Sequence, residues 1–179
     1  MLLEPTPHGL FCRAGDFYID PFQVVPRAVI THGHGDHVCP GSHHYLATPE
    51  SLAIFRHRLS SEASLQALPY NKILTINGVR LSFHPAGHIL GSAQVRLEHH
   101  GEIWVVTGDF KRTPDPTCLP FEPVRCQVLV SECTFGLPIF KWPPTSQVIA
   151  EILAWWQENA DQEQASLLLA YAVGKAQRL

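Results

Sequence analysis

The sequence predicts a sheet-rich α/β protein. Short apolar runs separated by Gly, Pro and Asn recur over roughly the first 130 residues, and helical periodicity alternates with an apolar run after that point. Of the 179 residues, 45% are hydrophobic and 16% are charged, which is typical of a globular protein and excludes a disordered one. The length suits one domain with a full core, or one domain and part of another.

Short apolar runs bounded by turn residues predict the strands. In order, these predicted strands lie at 17–19, 24–30, 72–76, 79–83, 93–97, 103–107, 128–130 and 166–171. Asn77-Gly78 stands between two of them and predicts a hairpin, and His99-His100-Gly101 predicts the next turn.

Two helices are predicted from their start signals. Thr48 as N-cap with Pro49 at the first helical position begins a helix that ends near Leu59. A second helix follows a proline-rich connection at 141–144 and begins at Thr145 or Ser146. Its apolar residues share one face, which predicts a buried stripe made of Val148, Ile149, Ile152, Leu153 and Trp156.

The last residues predict a chain that continues. Lys175 looks like the start of a helix that is cut within its first turns, and such short helices are marginal by themselves. We therefore expect these residues to be part of a longer protein.

Composition and charge exclude several functions. The sequence shows no signal peptide, and its longest apolar runs are too short to cross a bilayer. Five cysteines without a C-x-x-C pair predict reduced thiols and a cytoplasmic location. The formal net charge of −3 offers no bulk attraction for nucleic acid, so phosphate binding would need a local site.

The most informative segment lies at 31–37 and has the sequence Thr-His-Gly-His-Gly-Asp-His. Imidazole and carboxylate are the usual ligands of catalytic zinc. His32 and His34 can face one ion, while Asp36 and His37 can reach a second. The two intervening glycines remove Cβ bulk and allow backbone angles that other residues resist. The alternative is a solvated histidine-rich turn.

Three more candidates follow predicted strands. His88 lies in a glycine-flanked loop, and Asp109 ends a strand just after a glycine, where its carboxylate could bridge two ions. Asp20 precedes a proline and could orient a ligand imidazole from behind. Each residue would be weak evidence for a metal site by itself, but all three, like the histidine cluster, lie directly after a predicted strand.

Four motifs resemble a known family. They are the segment at 31–37, Ala-Gly-His-Ile-Leu-Gly-Ser-Ala-Gln at 86–94, Thr-Gly-Asp-Phe at 107–110 and Ser-Glu-Cys-Thr-Phe-Gly at 131–136. In this order the chain resembles metallo-β-lactamase-fold nucleases of the β-CASP group. Within that group, the amino-acid sequence at 3–10, 18–21, 114–126 and 174–178 is most similar to that of the bacterial ligase-associated DNA exonucleases.

The resemblance implies a fold and its domain limits. The family fold is a four-layer αββα sandwich with the metals at one edge of the two sheets. Residues 1–140 would form the N-terminal, incomplete part of it, and 141–179 would begin an inserted, truncated β-CASP cap.

The resemblance also implies roles for residues. His32, His34 and His88 would bind one metal, Asp36 and His37 the other, and Asp109 would bridge them. Asp20 matches the family's first acidic motif, and Glu132 matches the acidic motif at the passage into the cap. Asp36, Asp109 and Glu132 would serve the reaction. Separately, Lys111 and Arg112 could hold a neighbouring phosphate, or be solvated surface charges.

The implied activity is metal-dependent hydrolysis of phosphodiester bonds, with two divalent ions, zinc or else manganese. The narrower likeness favours a DNA exonuclease of repair and ligation, with DNA ligase and helicase as partners. Alternatives are an RNA-processing nuclease, a thioesterase, lactonase or β-lactamase on the same fold, and an inactive copy acting as a non-catalytic subunit. Two later histidine motifs of the family have no counterpart in these residues, which predicts an incomplete site and a weakly held second metal.

Overall fold

Two facing β-sheets form the core of the first of two units, Met1–Glu132 and Cys133–Leu179, in a computed structural model that describes residues 1–179. The first sheet has the strand order β1-β2-β3-β4-β5-β6. Its strands are β1 (Leu3–Thr6), β2 (Gly9–Cys12), β3 (Phe17–Ile19), β4 (Arg27–Val29), β5 (His44–Ala47) and β6 (Ser64–Ala67). Strands β1 to β3 are antiparallel, and β3 to β6 are parallel.

The second sheet has the order β11-β10-β9-β8-β7. Its strands are β7 (Leu74–Ile76), β8 (Val79–Pro85), β9 (Ala93–His99), β10 (Glu102–Val106) and β11 (Val128–Val130). Strands β7 to β10 form an antiparallel meander, and β11 joins β10 in parallel. The predicted mixed α/β class is confirmed.

Apolar side chains from both sheets fill the space between them. Phe17 and Leu46 of the first sheet join Leu81, Val95 and Leu97 of the second in one buried cluster. Alternation along each strand sends these side chains inward, and their burial supplies the main driving force for folding.

Helix α1 (Leu52–Arg58) covers the other face of the first sheet, where Phe55 packs in a second cluster with Ala28 and Tyr45. A 3₁₀ turn at Pro49–Ser51 precedes it. The helix start predicted at Thr48 is confirmed, although the Thr48 hydroxyl donates to the carbonyl of Gly91 instead of capping the helix. Helix, first sheet and second sheet make three stacked layers; the fourth layer of the predicted sandwich stays a prediction.

Both predicted turns of the second sheet are confirmed. Asn77 and Gly78 have φ of 47° and 83°, and His100 and Gly101 have φ of 51° and 82°. Positive φ at both central residues is the type I′ pattern, whose twist matches that of two antiparallel strands.

The second unit contains helix α2 (Thr145–Asp161), which begins where the sequence predicts. The predicted burial of its apolar stripe is wrong, because no residue of α2 is buried and Trp156 is 52% exposed. The strand predicted at 166–171 is also wrong: the unit has no strand to pair with it, and a lone strand makes no ladder hydrogen bonds. Turns replace the helix predicted from Lys175.

Neither α1 nor α2 combines the length and the apolar character that a membrane span requires.

Candidate metal centre

The predicted ligands lie at strand ends along one edge of the two sheets. Asp20 follows β3, and residues 31–37 follow β4, which runs parallel to β3, so these two ends are adjacent. His88 lies in the β8–β9 loop, and Asp109 follows β10. A backbone hydrogen bond from Ala93 N to Thr31 O, at 2.8 Å, joins the two sheets at this edge.

Four side chains come together closely enough to share one metal ion. His32, His34, His88 and Asp109 each offer one ligand atom, and all four atoms lie within 4.8 Å of one another. His34 Nδ1 is 3.1 Å from His32 Nε2 and 3.1 Å from His88 Nε2. Asp109 Oδ2 is 3.7 Å from His32 Nε2 and 3.5 Å from His88 Nε2.

These distances leave room for one divalent ion between the four side chains. Ligand atoms about 2.1 Å from a zinc ion stand about 3.4 Å from each other in a tetrahedron. Four of the six separations, from 3.1 to 3.7 Å, surround that value, and the other two are no longer than 4.8 Å. Three imidazoles and one carboxylate are also the donor chemistry that zinc and related divalent ions accept. The residues present therefore fit a divalent metal.

His32 is held in the neutral form that binds metals. Its ring is fully buried, and burial, followed by the charges of His37 and His88, lowers the pKa of His32 to about 2. A neutral imidazole keeps one nitrogen lone pair for an ion. Metal binding by His32 would therefore release no proton.

The residues predicted for a second ion are less closely gathered. His37 Nε2 lies 3.4 Å from Asp109 Oδ1 and 3.9 Å from Asp36 Oδ2, and the side chain of Asp36 is 81% exposed. No second group of three or more ligand atoms comes together as tightly as the first. The assignment of Asp36 and His37 to a second metal stays a prediction.

His37 stands between two carboxylates. Burial opposes its charge, but hydrogen bonds and attraction from Asp109 and Asp20 outweigh burial and raise the pKa of His37 to about 10. The hydrogen bond from His37 in turn outweighs burial of the carboxyl and lowers the pKa of Asp109 to about 2. Binding of an ion by His37 would therefore release a proton.

Asp20 accepts three hydrogen bonds behind the ligands. Thr31 donates its backbone N–H to Oδ1 at 2.8 Å and its hydroxyl to Oδ2 at 2.6 Å. The ring Nδ1 of His37 lies 2.8 Å from Oδ2. Asp20 therefore lies where it can orient His37, the kind of contact expected from its position after a predicted strand.

The loop that carries His88 is tied down by a serine. Ser92 Oγ accepts the backbone N–H groups of His88 and Ile89 at 3.0 and 3.2 Å. Gly87, with φ of 73°, approaches Lys111 so closely that a Cβ would stand 2.3 Å from its carbonyl oxygen. The His88 loop and the Asp109 loop are therefore in direct backbone contact.

The carboxylate of Glu132 contacts the backbone next to Asp109. The N–H of Phe110, next to Asp109, donates to Glu132 Oε1 at 3.3 Å. Glu132 thus contacts the segment that presents Asp109, although its carboxylate is not one of the four gathered ligands.

The two cations predicted to hold phosphate lie just beyond Asp109. Lys111 Nζ is 2.8 Å from Asp115 Oδ2, whose side chain is only 1% exposed, whereas Arg112 is exposed to solvent. The structure therefore gives Lys111 an internal partner, and phosphate binding by either residue stays a prediction.

Sequence reasoning missed two polar residues of the site. Thr31 contacts Asp20 and His32, and Ser92 holds the His88 loop. A signal existed for both: Thr31 directly precedes the first ligand, and Ser92 follows His88 by four positions inside a glycine-flanked loop. Short hydroxyl side chains in such places commonly bond nearby backbone or ligand groups.

Several proteins are similar to this chain in sequence. A "Probable DNA ligase" of Opitutus terrae is 31% identical over 175 residues, which cover 96% of this chain and 17% of that protein. "Endoribonuclease ysh1" of Emericella nidulans is 31% identical over 68% of this chain and 14% of its own length. An "RNase J-like protein" of Methanocaldococcus jannaschii is 28% identical over 62% of this chain and 27% of its own length. The chain thus spans less than a third of each relative.

The fold is also found among solved structures. A protein of unknown function from Enterococcus faecalis V583 superposes with a TM-score of 0.53 at 12% identity, covering 74% of this chain and 39% of that one. No protein-family model matches the sequence.

Proposed function

Because these relatives confirm the resemblance to metallo-β-lactamase-fold nucleases of the β-CASP group, we propose that the protein uses divalent metal to hydrolyse phosphodiester bonds of nucleic acid. The observation that carries the proposal is the group formed by His32, His34, His88 and Asp109, whose ligand atoms all lie within 4.8 Å of one another. A bound divalent ion supplies Lewis-acid activation of water and neutralises charge at phosphate oxygens.

The chain's own residues have defined tasks in this proposal. His32, His34 and His88 would hold one ion, and Asp36 and His37 would hold a second. Asp109 reaches both groups, since its Oδ2 faces His32 and His88 while its Oδ1 faces His37.

Two further carboxylates act on these ligands and not on the ions. Asp20 accepts from the ring Nδ1 of His37 and leaves Nε2 turned toward Asp109. Glu132 fixes the Phe110 amide and thereby the backbone that presents Asp109. Such outer contacts normally change metal affinity or activity by about 10- to 100-fold when they are removed.

DNA is the substrate we favour. The relative whose match covers 96% of this chain is named a probable DNA ligase. In addition, the motifs that narrow the resemblance are those of ligase-associated DNA exonucleases. On this basis we propose a zinc- or manganese-dependent DNA exonuclease that works in repair beside a ligase and a helicase. We also propose 1–140 as the catalytic-fold part and 141–179 as the start of the cap.

RNA is the second candidate, and a specific observation favours it. The other relatives described above are named as an endoribonuclease and an RNase J-like protein. The metal group would serve either polymer, because the phosphodiester is chemically the same in both.

The test compares cleavage of labelled single-stranded DNA, double-stranded DNA and RNA by the protein expressed from its complete reading frame. Asp109→Ala removes the carboxylate that faces both groups, and we expect it to slow cleavage by roughly 100-fold or more. His57→Ala, an exposed histidine on α1, is the matched control and should cleave like the wild type.

Equal cleavage by Asp109→Ala and the wild type would contradict the proposal. Turnover of nitrocefin or a thioester without cleavage of any nucleic acid would replace the nuclease with another hydrolase of the same fold.

A further inference from the structure

Thr31 lies at the junction of three loops that carry the candidate ligands. It is 1% exposed and sits between β4 and the first histidine. Its N–H and hydroxyl donate to the two oxygens of Asp20, and its carbonyl accepts from Ala93, which begins β9 just after the His88 loop. The residue therefore contacts both sheets at the edge where the ligands meet.

The hydroxyl of Thr31 also faces a ligand ring. Thr31 Oγ1 is 2.6 Å from Asp20 Oδ2 and 3.0 Å from His32 Nδ1. A hydroxyl has one proton to donate, and an ionised carboxylate can only accept. The short contact to Asp20 uses that proton, so the contact to His32 requires Nδ1–H of the ring to donate to Thr31.

This direction of hydrogen bonding fixes the tautomer of His32. With its proton on Nδ1, the neutral ring has its lone pair on Nε2. That nitrogen is the one that lies 3.1 Å from His34 Nδ1 and 3.7 Å from Asp109 Oδ2. The other tautomer would place an N–H where the ion needs a lone pair.

We infer that Thr31 is a positioning residue of the metal centre: its hydroxyl, oriented by Asp20, holds His32 with Nε2 free to bind the ion. The inference rests on the metal centre of the proposed function and assigns to it a residue that contacts no ion. Hydrogen bonds to a ligand imidazole commonly set both its orientation and its basicity.

Thr31 also has a packing contact, and the two roles can be separated. A Cβ on Gly108, just before Asp109, would stand 2.6 Å from both Cβ and Oγ1 of Thr31. Thr31→Val keeps the shape and loses the hydroxyl, whereas Thr31→Ser keeps the hydroxyl and loses a methyl group. A role in packing alone would be preserved by valine, and the hydrogen-bonding role would be preserved by serine.

The experiment measures zinc affinity of the 179-residue chain by competition with a chromophoric chelator. We expect Thr31→Val to weaken zinc binding by about 10- to 100-fold and Thr31→Ser to stay within about threefold of the wild type. His57→Ala is the control for an unrelated change, and unfolding of each variant in EDTA confirms that it is folded.

Wild-type affinity in Thr31→Val would overturn the inference, and so would equal weakening in the valine and serine variants. Absence of zinc binding by the wild type would instead remove the metal centre itself, which is a different failure.

A second measurement needs no change at Thr31. Nitrogen-15 shifts of the imidazole rings in the metal-free chain report which nitrogen carries the proton, and His32→Gln identifies the His32 signals. We expect a protonated Nδ1 and an unprotonated Nε2. The opposite tautomer would overturn the inference.

Discussion

The carboxylate of Asp20 positions a candidate ligand, His37, by hydrogen bonding and is not itself among the four gathered ligands. Its φ of 42° lies in the left-handed region, which Asp tolerates better than most residues. Its two oxygens accept three hydrogen bonds, from the backbone and hydroxyl of Thr31 and from His37. These bonds hold the unusual backbone conformation in place, as surrounding contacts must wherever φ is unfavourable.

We expect Asp20→Asn to lower the free energy of unfolding in EDTA by about 1–3 kcal/mol. The amide keeps the shape of the side chain but replaces an acceptor oxygen with a donor that faces Thr31 or His37. Urea unfolding monitored by circular dichroism measures the change. Asp36→Asn makes the same chemical change at an exposed side chain and should alter stability by no more than about 0.5 kcal/mol. Equal stability of the two variants would show that the Asp20 contacts contribute nothing.

Residue types indicated the candidate ligands, but one of the two reasons given for the glycines between them was wrong. These glycines were expected to remove Cβ bulk and to allow unusual backbone angles, yet Gly33 and Gly35 are not among the glycines with positive φ. The reason at Gly33 is space, since a Cβ would stand 2.8 Å from Ile54 Cγ2 on α1. Such a contact between a loop and a helix is invisible in a local pattern.

At the scale of elements, the loop after β10 is fixed by an ion pair between the partly exposed Lys111 and the buried Asp115. Asp115 is almost fully buried and accepts from Lys111 Nζ at 2.8 Å and from Thr117 N and Oγ1 at 3.0 and 2.6 Å. Lys111 N also donates to the carbonyl of Ala86, beside the His88 loop. The loop therefore connects the two segments that present Asp109 and His88.

Lys111→Met should lower the free energy of unfolding by about 1–3 kcal/mol, because it removes the hydrogen-bonded charge of Lys111 from the buried carboxylate of Asp115. Arg112→Met removes a neighbouring exposed charge and should change stability by no more than about 0.5 kcal/mol. Urea unfolding of both variants in EDTA provides the comparison. If the two variants proved equally stable, the ion pair would have no structural role, and the phosphate-binding role predicted for Lys111 would gain weight.

Local chemistry predicted some elements well and others poorly. The two hairpin turns and the start of α1 depend on residues adjacent in sequence, and the sequence was sufficient for them. Strands β1, β2, β5 and β6 were missed, since runs such as Leu-Glu-Pro-Thr and Ser-Leu-Gln-Ala contain few of the β-branched and aromatic residues that are typical of strands. They form through pairing with neighbouring strands, as β1 does in a hairpin with β2 and as Tyr45 of β5 does with Leu65 of β6.

At the scale of the molecule, the sequence predicted which side chains would come together better than how they would be grouped. His32, His34, His88 and Asp109 come from three segments that are far apart in the chain, and the two sheets bring them to one edge. Their shared position after strands made this foreseeable. The exposure of the Asp36 side chain could not be foreseen, because it depends on the three-dimensional path of the loop.

The most direct test of the metal centre is the number of zinc ions bound per chain after dialysis, measured by elemental analysis. The structure predicts at least one tightly bound ion in the wild type and in His57→Ala, whose histidine lies on the exposed side of α1. His88→Ala removes one of four gathered ligands and should lose that ion. Wild-type protein without zinc, or His88→Ala with as much zinc as the wild type, would contradict the account.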